Sequence, residues 1–311
     1  MRMSLNLLIL LIIIEACNNP AGESGWNSES YFLVWHDEFD KNFLDTTKWQ
    51  TVTKNPAPYD RIPPRASCNF SGAEVFLDEN VYVESGFLTI RTTNEPYCYS
   101  GIVAGTCGLV DACGFVNCDT IQIDMDYTSG NVSSTIGFNY GYFECRAKIT
   151  SGTGMYPVFW LWHHDELVVF EFFGESETHY ISMHNKTIYS STNFNLVKDY
   201  SKQFHTYALE WTPFEIKWFF DGRLVHTEYK YFHEKTQKGI EAFAYQEGKS
   251  YSVNDTFPDG QDRWMGINLS VNVYEWKKPD NTTTFPAYML VDYVRVYQKL
   301  ANESVEQNLN Q

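Results

Sequence analysis

Basic residues are scarce in this chain. Lys and Arg number 23 against 39 Asp and Glu, a formal net charge of −16. A protein that grips nucleic acid needs a basic footprint, so that class of partner is excluded. The same deficit argues, more weakly, against polyanionic sugars, because a local basic patch can override a net charge. Long apolar runs are also missing. The longest, Leu5 to Ile14, is interrupted by Asn6 and is too short to span a bilayer. Extended segments of helical period are nearly absent, which leaves little room for an α-helical fold. No internal repeat and no second domain is visible. The cysteines include no C-x2-C pair with a nearby His, so a zinc site ranks well below disulfides.

What is present begins with a leader. Arg2 followed by the apolar run reads as a secretory signal over residues 1–16. Ile14-Glu15-Ala16-Cys17 is similar to a bacterial lipobox, with Cys17 as the lipidated residue; ordinary cleavage nearby is the alternative. Export to the outer membrane or cell surface, or secretion, follows, with membrane contact only through that anchor. Residues 17–30 are polar and suit a tether. Cys68, Cys98, Cys107, Cys113, Cys118 and Cys145 remain, an even set in an oxidising compartment, so disulfides are expected with open connectivity.

The body of the chain reads as strands. Asn80–Thr92 alternates around a Glu84-Ser85-Gly86 turn, and Tyr142–Ile149 alternates like a half-buried antiparallel strand. Phe219-Phe220-Asp221-Gly222-Arg223 is a hairpin with an Asp-Gly turn. Thr178–His184, Trp264–Val273 and Met289–Tyr297 are further strands, and 230–262 reads as an acidic loop or short helix. Short alternating strands punctuated by Gly, Asn and Asp predict an all-β sandwich of two antiparallel sheets over residues 31–298, with a polar tail at 299–311. The chain is 17% aromatic. Most of those rings must fill such a core, and any left over suit the C–H faces of sugars.

One stretch carries chemistry: Trp160 to Gly174, WLWHHDELVVFEFFG. Its β-branched and aromatic content makes it a strand. Side chains alternate along a strand, so Glu166 and Glu171, five residues apart, would face opposite ways. One β-bulge near Val169-Phe170 returns them to a common face, with Cα atoms about 13 Å apart. Inward-leaning side chains then approach the separation of a retaining glycosidase pair. Ionised carboxylates are rarely left in so apolar a run without a partner or a task.

The segment resembles the E-x-D-x-x-E signature of glycoside hydrolase family 16, the laminarinase, lichenase and agarase group. Tyr31–Phe39, Tyr127–Ile149, Gly152–Trp162 and Phe204–Val225 resemble further family segments in the right order. The resemblance implies a β-jelly roll with a concave substrate cleft. It implies Glu166 as nucleophile, Glu171 as acid/base, and a polysaccharide substrate bound by a monomer. Trp160, Tyr156, His184 and Trp276 fall near family cleft positions and are expected to bind substrate. His184 is as readily a satisfied core or surface residue, and Trp160 a core one. Asp292 matches an Asp that holds a structural calcium in many members, and is otherwise a surface carboxylate; catalysis itself needs no cofactor. Val168 stands where the family has its central Asp, so slow hydrolysis is expected. The favoured substrate is a β-1,3 or mixed-linkage glucan. The alternatives are a catalytically impaired glycan-binding protein, a galactan hydrolase acting on agarose or the like, and a transglycosylase.

Overall fold

The structure, a computed structural model, describes residues 26–51, 72–102, 120–163, 165–174, 178–184, 189–195, 199–236, 239–242, 252–258, 264–275 and 277–299. The signal segment, Cys17, Cys68, Cys107, Cys113, Cys118, Trp276 and the tail beyond Lys299 lie outside them.

Two antiparallel sheets carry the fold. The eight-stranded sheet runs β17 (Arg223–Tyr229), β16 (Glu215–Phe220), β15 (His205–Trp211), β10 (Gly141–Lys148), β22 (Ala287–Lys299), β5 (Phe87–Thr92) and β4 (Val81–Glu84). β1 (Tyr31–Asp37) also pairs with β22. The seven-stranded sheet runs β14 (Tyr189–Asn195), β13 (Thr178–His184), β12 (Glu166–Glu171), β11 (Met155–Trp162), β21 (Met265–Val273), β9 (Asn131–Phe138) and β2 (Trp49–Thr51). Both match the all-β expectation. Smaller pairings flank them: β3 (Glu74–Phe76) with β8 (Tyr127–Ser129), β6 (Tyr97–Ile102) with β7 (Thr120–Met125), and β18 (Tyr231–Thr236) with β19 (Gly239–Ala242) and β20 (Ser252–Val253).

Alternation decides which face each strand buries. On β10, Phe143, Cys145 and Ala147 point into the core; on β11, Met155, Phe159 and Leu161 do so from the other sheet. Phe170 meets Tyr207 across the sandwich with ring centroids 4.3 Å apart. The β4–β5 hairpin closes through Ser85 and Gly86 at φ 55° and 82°, and the β16–β17 hairpin through Asp221 and Gly222 at φ 48° and 75°. Two consecutive left-handed residues give the tight turn whose twist suits antiparallel strands, as expected at both places.

Three expectations need correction. The described parts of 230–262 form the small β18–β19–β20 sheet rather than a loop or helix. Its strands are too short for their alternation to stand out. Residues 26–30 are not part of a free tether, because Trp26 stacks on Tyr142 at 3.8 Å and 11° and touches Tyr31 and Tyr297. Those rings lie outside the main core cluster, on the other face of the eight-stranded sheet from Phe143 and Cys145. Cys145 is a free thiol, fully buried between the sheets, and so is not one of the expected disulfide partners. Its position on the core face of β10 puts it among apolar side chains.

Candidate active site

The site is built on β12 and its neighbours. Across β11 and β12, Trp162 pairs with Glu166, Trp160 with Val168, Phe159 with Phe170 and Val158 with Glu171. The register slips between Phe159 and Trp160, so β12 carries one extra residue there, at Val169. That is the predicted bulge. Opposite residues of an antiparallel pair share a face. Glu166, Val168 and Glu171 therefore stand on one face with Trp162, Trp160 and Val158, and the core lies on the other.

Leu167, Val169, Phe170 and Phe172 are all buried in that core. Their burial is worth about 6–12 kcal/mol in gross terms. This outweighs the cost of placing two carboxyl groups where burial resists ionisation, and it pins the register that presents them. At the bulge, Trp218, on β16 of the opposite sheet, donates its indole Nε1–H to the Val168 carbonyl oxygen at 2.8 Å. A buried carbonyl without a donor is costly, so this bond helps hold the kink.

Both carboxyls are raised. Burial, and then the charge of Glu171, push Glu166 up to about 7. Burial pushes Glu171 up to about 7 as well, against the lowering effect of a hydrogen bond from the Tyr156 hydroxyl. At neutral pH the pair can hold one proton between them, which is what a nucleophile and a general acid need.

The other expected site residues fall as follows. Trp160 is half-buried on the same face, beside Val168. Tyr156 is on that face too, but its hydroxyl is committed to Glu171 rather than open to a ligand. The backbone of His184 pairs with Glu166, which brings it into the neighbourhood of the site; its side chain lies outside the described residues. Asp292 is on β22 of the other sheet, where Arg146 Nη1 donates to its Oδ2 at 2.5 Å. A guanidinium already neutralises that carboxylate, which disfavours a calcium ion at this place. Among the described residues no group of three or more His, Cys, Asp or Glu is placed to hold a metal.

Several residues on the site face were not anticipated. β21 puts Asn268, Ser270 and Asn272 opposite Trp160, Val158 and Tyr156. Ser133 on β9 donates to Asn268 Oδ1 at 2.6 Å. This polar row was readable in the alternation Ile-Asn-Leu-Ser-Val-Asn-Val of 267–273. Trp162, 43% exposed, stands directly opposite Glu166, with Gly266 on its other side. Trp162, unlike the others named here, is expected from the sequence: it lies in the Gly152–Trp162 segment that resembles the family's cleft lining and shares a face with Trp160 by parity. Phe173 and Tyr274 each stack on Tyr156 at 4.8 Å; nothing local in the sequence joins those three rings.

The family model for "Glycosyl hydrolases family 16" matches residues 105–252, a span that includes the whole of this bulged strand. Over those residues the chain is similar to glycosyl hydrolase family 16. Among its relatives, a "Beta-glucanase" of Rhodothermus marinus is 26% identical over 324 residues, covering 96% of each chain. A "Glucan endo-1,3-beta-glucosidase A1" of Niallia circulans is 25% identical over 86% of this chain, which spans only 38% of that relative's length. Among solved structures, the catalytic domain of an endo-1,3-beta-glucanase (laminarinase) from Thermotoga petrophila RKU-1 superposes with a TM-score of 0.61. It is 26% identical, covering 86% of this chain and 98% of that one.

Proposed function

We propose that the chain is a retaining, endo-acting glycoside hydrolase of β-1,3 or mixed-linkage glucan. The observation that carries this reading is the bulge at Val169, which brings Glu166 and Glu171 to one face as a pair of carboxyls raised by burial. Glu166, ionised, attacks the anomeric carbon. Glu171, protonated, gives its proton to the leaving glycosidic oxygen, and a glycosyl-enzyme ester forms on Glu166. Glu171, now a carboxylate, takes a proton from water; the water adds to the anomeric carbon and Glu166 leaves. No metal or organic cofactor enters these steps.

The choice of glucan rests on two supports. The relatives just described are named for β-glucans. The described floor of the site is neutral and hydrogen-bonding, with Asn268, Ser270, Asn272 and Ser133 beside Trp160, which suits an uncharged sugar chain better than a sulfated one. Val168 favours a second reading, a glycan-binding protein on the same framework whose chemistry is impaired, because valine supplies neither the charge nor the acceptor of the family's Asp.

One experiment separates the two. Laminarin, mixed-linkage glucan and agarose are incubated with the purified protein, with Glu166→Gln and with Glu171→Gln, and new reducing ends are assayed. The hydrolase reading expects release from the first two substrates by the wild type and a loss of at least about 10³-fold in both variants. Retention of laminarin in affinity electrophoresis with no new reducing ends would select the binder.

A further inference from the structure

Tyr156 occupies a place the hydrolytic mechanism above does not use. Its phenol donates to Glu171 Oε2, and its ring is part of a wall of three near-parallel aromatics. Tyr156 lies 4.8 Å from Phe173 at 25° and 4.8 Å from Tyr274 at 14°, and Phe173 and Tyr274 are 5.5 Å apart at 15°. The wall is tied to the backbone on either side. Gly174 N donates to Met155 O at 2.7 Å, and Tyr274 N donates to Gly154 O at 2.9 Å. Gly154 has φ +81°, and a Cβ there would lie 2.5 Å from Pro279 N, so only glycine allows the chain this close approach. Tyr156 is thus held in place before any ligand arrives.

Packing alone does not account for a tyrosine here. A phenylalanine would fill the same space in the ring wall, and the hydroxyl is directed at a catalytic carboxylate. On the other side of Glu171 along β12, Val168 offers neither donor nor acceptor. The titratable groups facing Glu171 among the described residues are Tyr156 and Glu166, with Tyr274 behind Tyr156. Tyr180 on β13 pairs with Glu171 through the backbone only as far as the structure describes it.

We propose that Tyr156 is a positioning residue for Glu171, supplying the fixed polar contact that Val168 cannot. This rests on Glu171 being the acid/base of the proposed hydrolase. The phenol orients the carboxyl toward the glycosidic oxygen and favours its ionised form, so that the proton is released more readily.

Tyr156→Phe removes the donor and leaves the ring wall. The carboxyl carbon of Glu171, identified by its disappearance in Glu171→Gln, is titrated by 13C NMR in wild type and variant. Loss of the donor moves its midpoint to higher pH by about half a unit or more. On laminarin, kcat falls about tenfold or more while KM stays within about twofold, and the alkaline limb of the pH–rate profile moves up with Glu171. A purely packing role would change the melting temperature and leave the Glu171 midpoint where it is, and that result overturns the proposal. If the wild type releases no reducing ends, the hydrolase reading fails by itself, and an unshifted midpoint still removes Tyr156 as the group acting on Glu171. Should the phenylalanine variant fold poorly, Tyr156→Leu, which also lacks a donor, is titrated in its place.

Discussion

Val168 is 1% exposed, flanked by Trp160 on β11 and by the backbone of Ser182 on β13, with Glu166 and Glu171 on either side along its own strand. It is buried yet outside the main core cluster, so it fills space on the site face. An aspartate of similar size there would face Glu166 and Glu171 across a dry surface. Two opposite effects follow. Another charge and acceptor beside the reacting carbon is worth about 3–5 kcal/mol of transition-state stabilisation where it is well placed. A third carboxyl in this environment also costs stability, since nothing here neutralises it. Val168→Asp is therefore expected to raise kcat on laminarin by at least about tenfold and to lower the melting temperature. The added like charge also lets Glu171 hold its proton to higher pH. Steady-state kinetics over pH and a thermal melt check all three; an unchanged kcat would mean that valine is not what limits the site.

At the scale of the element, the bulged strand depends on a partner in the other sheet. The Trp218 bond to the Val168 carbonyl spans 50 residues of sequence. Trp218→Phe should cost about 1–3 kcal/mol from the carbonyl alone, plus lost packing, and should re-aim Glu171 as the kink relaxes. Trp211, equally buried on β15, makes no hydrogen bond to that strand and serves as the control. Both variants are expected to melt earlier, but kcat should fall well beyond the loss of folded protein only in Trp218→Phe. Equal effects on kcat would assign Trp218 to packing alone.

At the scale of the molecule, the acidic pair sets a pH dependence of stability. Glu166 and Glu171 are raised to about 7 in the folded chain, and in the unfolded chain both return to the ordinary carboxyl range near 4.5. A raised carboxyl contributes stability that is full below the unfolded value and is lost as pH rises through the folded one. Glu38 works in the opposite direction, held below the usual range by the two hydrogen bonds from Arg295. Its contribution is present above the ordinary carboxyl range and lost on acidification. The melting temperature should therefore fall between about pH 5 and pH 8. Glu171→Gln should flatten that decline and melt higher than wild type at pH 8. A wild-type melting temperature that rises steadily over the same interval would show that the pair is not buried together as described.

The amino-acid sequence by itself settled the faces of the strands, because alternation along a strand is a local property. It also settled the need for a bulge, since five residues separate two glutamates that must share a face, and it placed the turns at Ser85-Gly86 and Asp221-Gly222. Only the tertiary structure decided the partners. Trp218 reaching the bulge, Tyr156 bound to Glu171 within its ring wall, Arg146 on Asp292, and Cys145 sealed in the core all depend on which strands lie side by side or face to face. Strand order and sheet stacking are set by the burial of the whole apolar surface at once. A segment's own pattern tells which way a side chain points, and not what it will meet there.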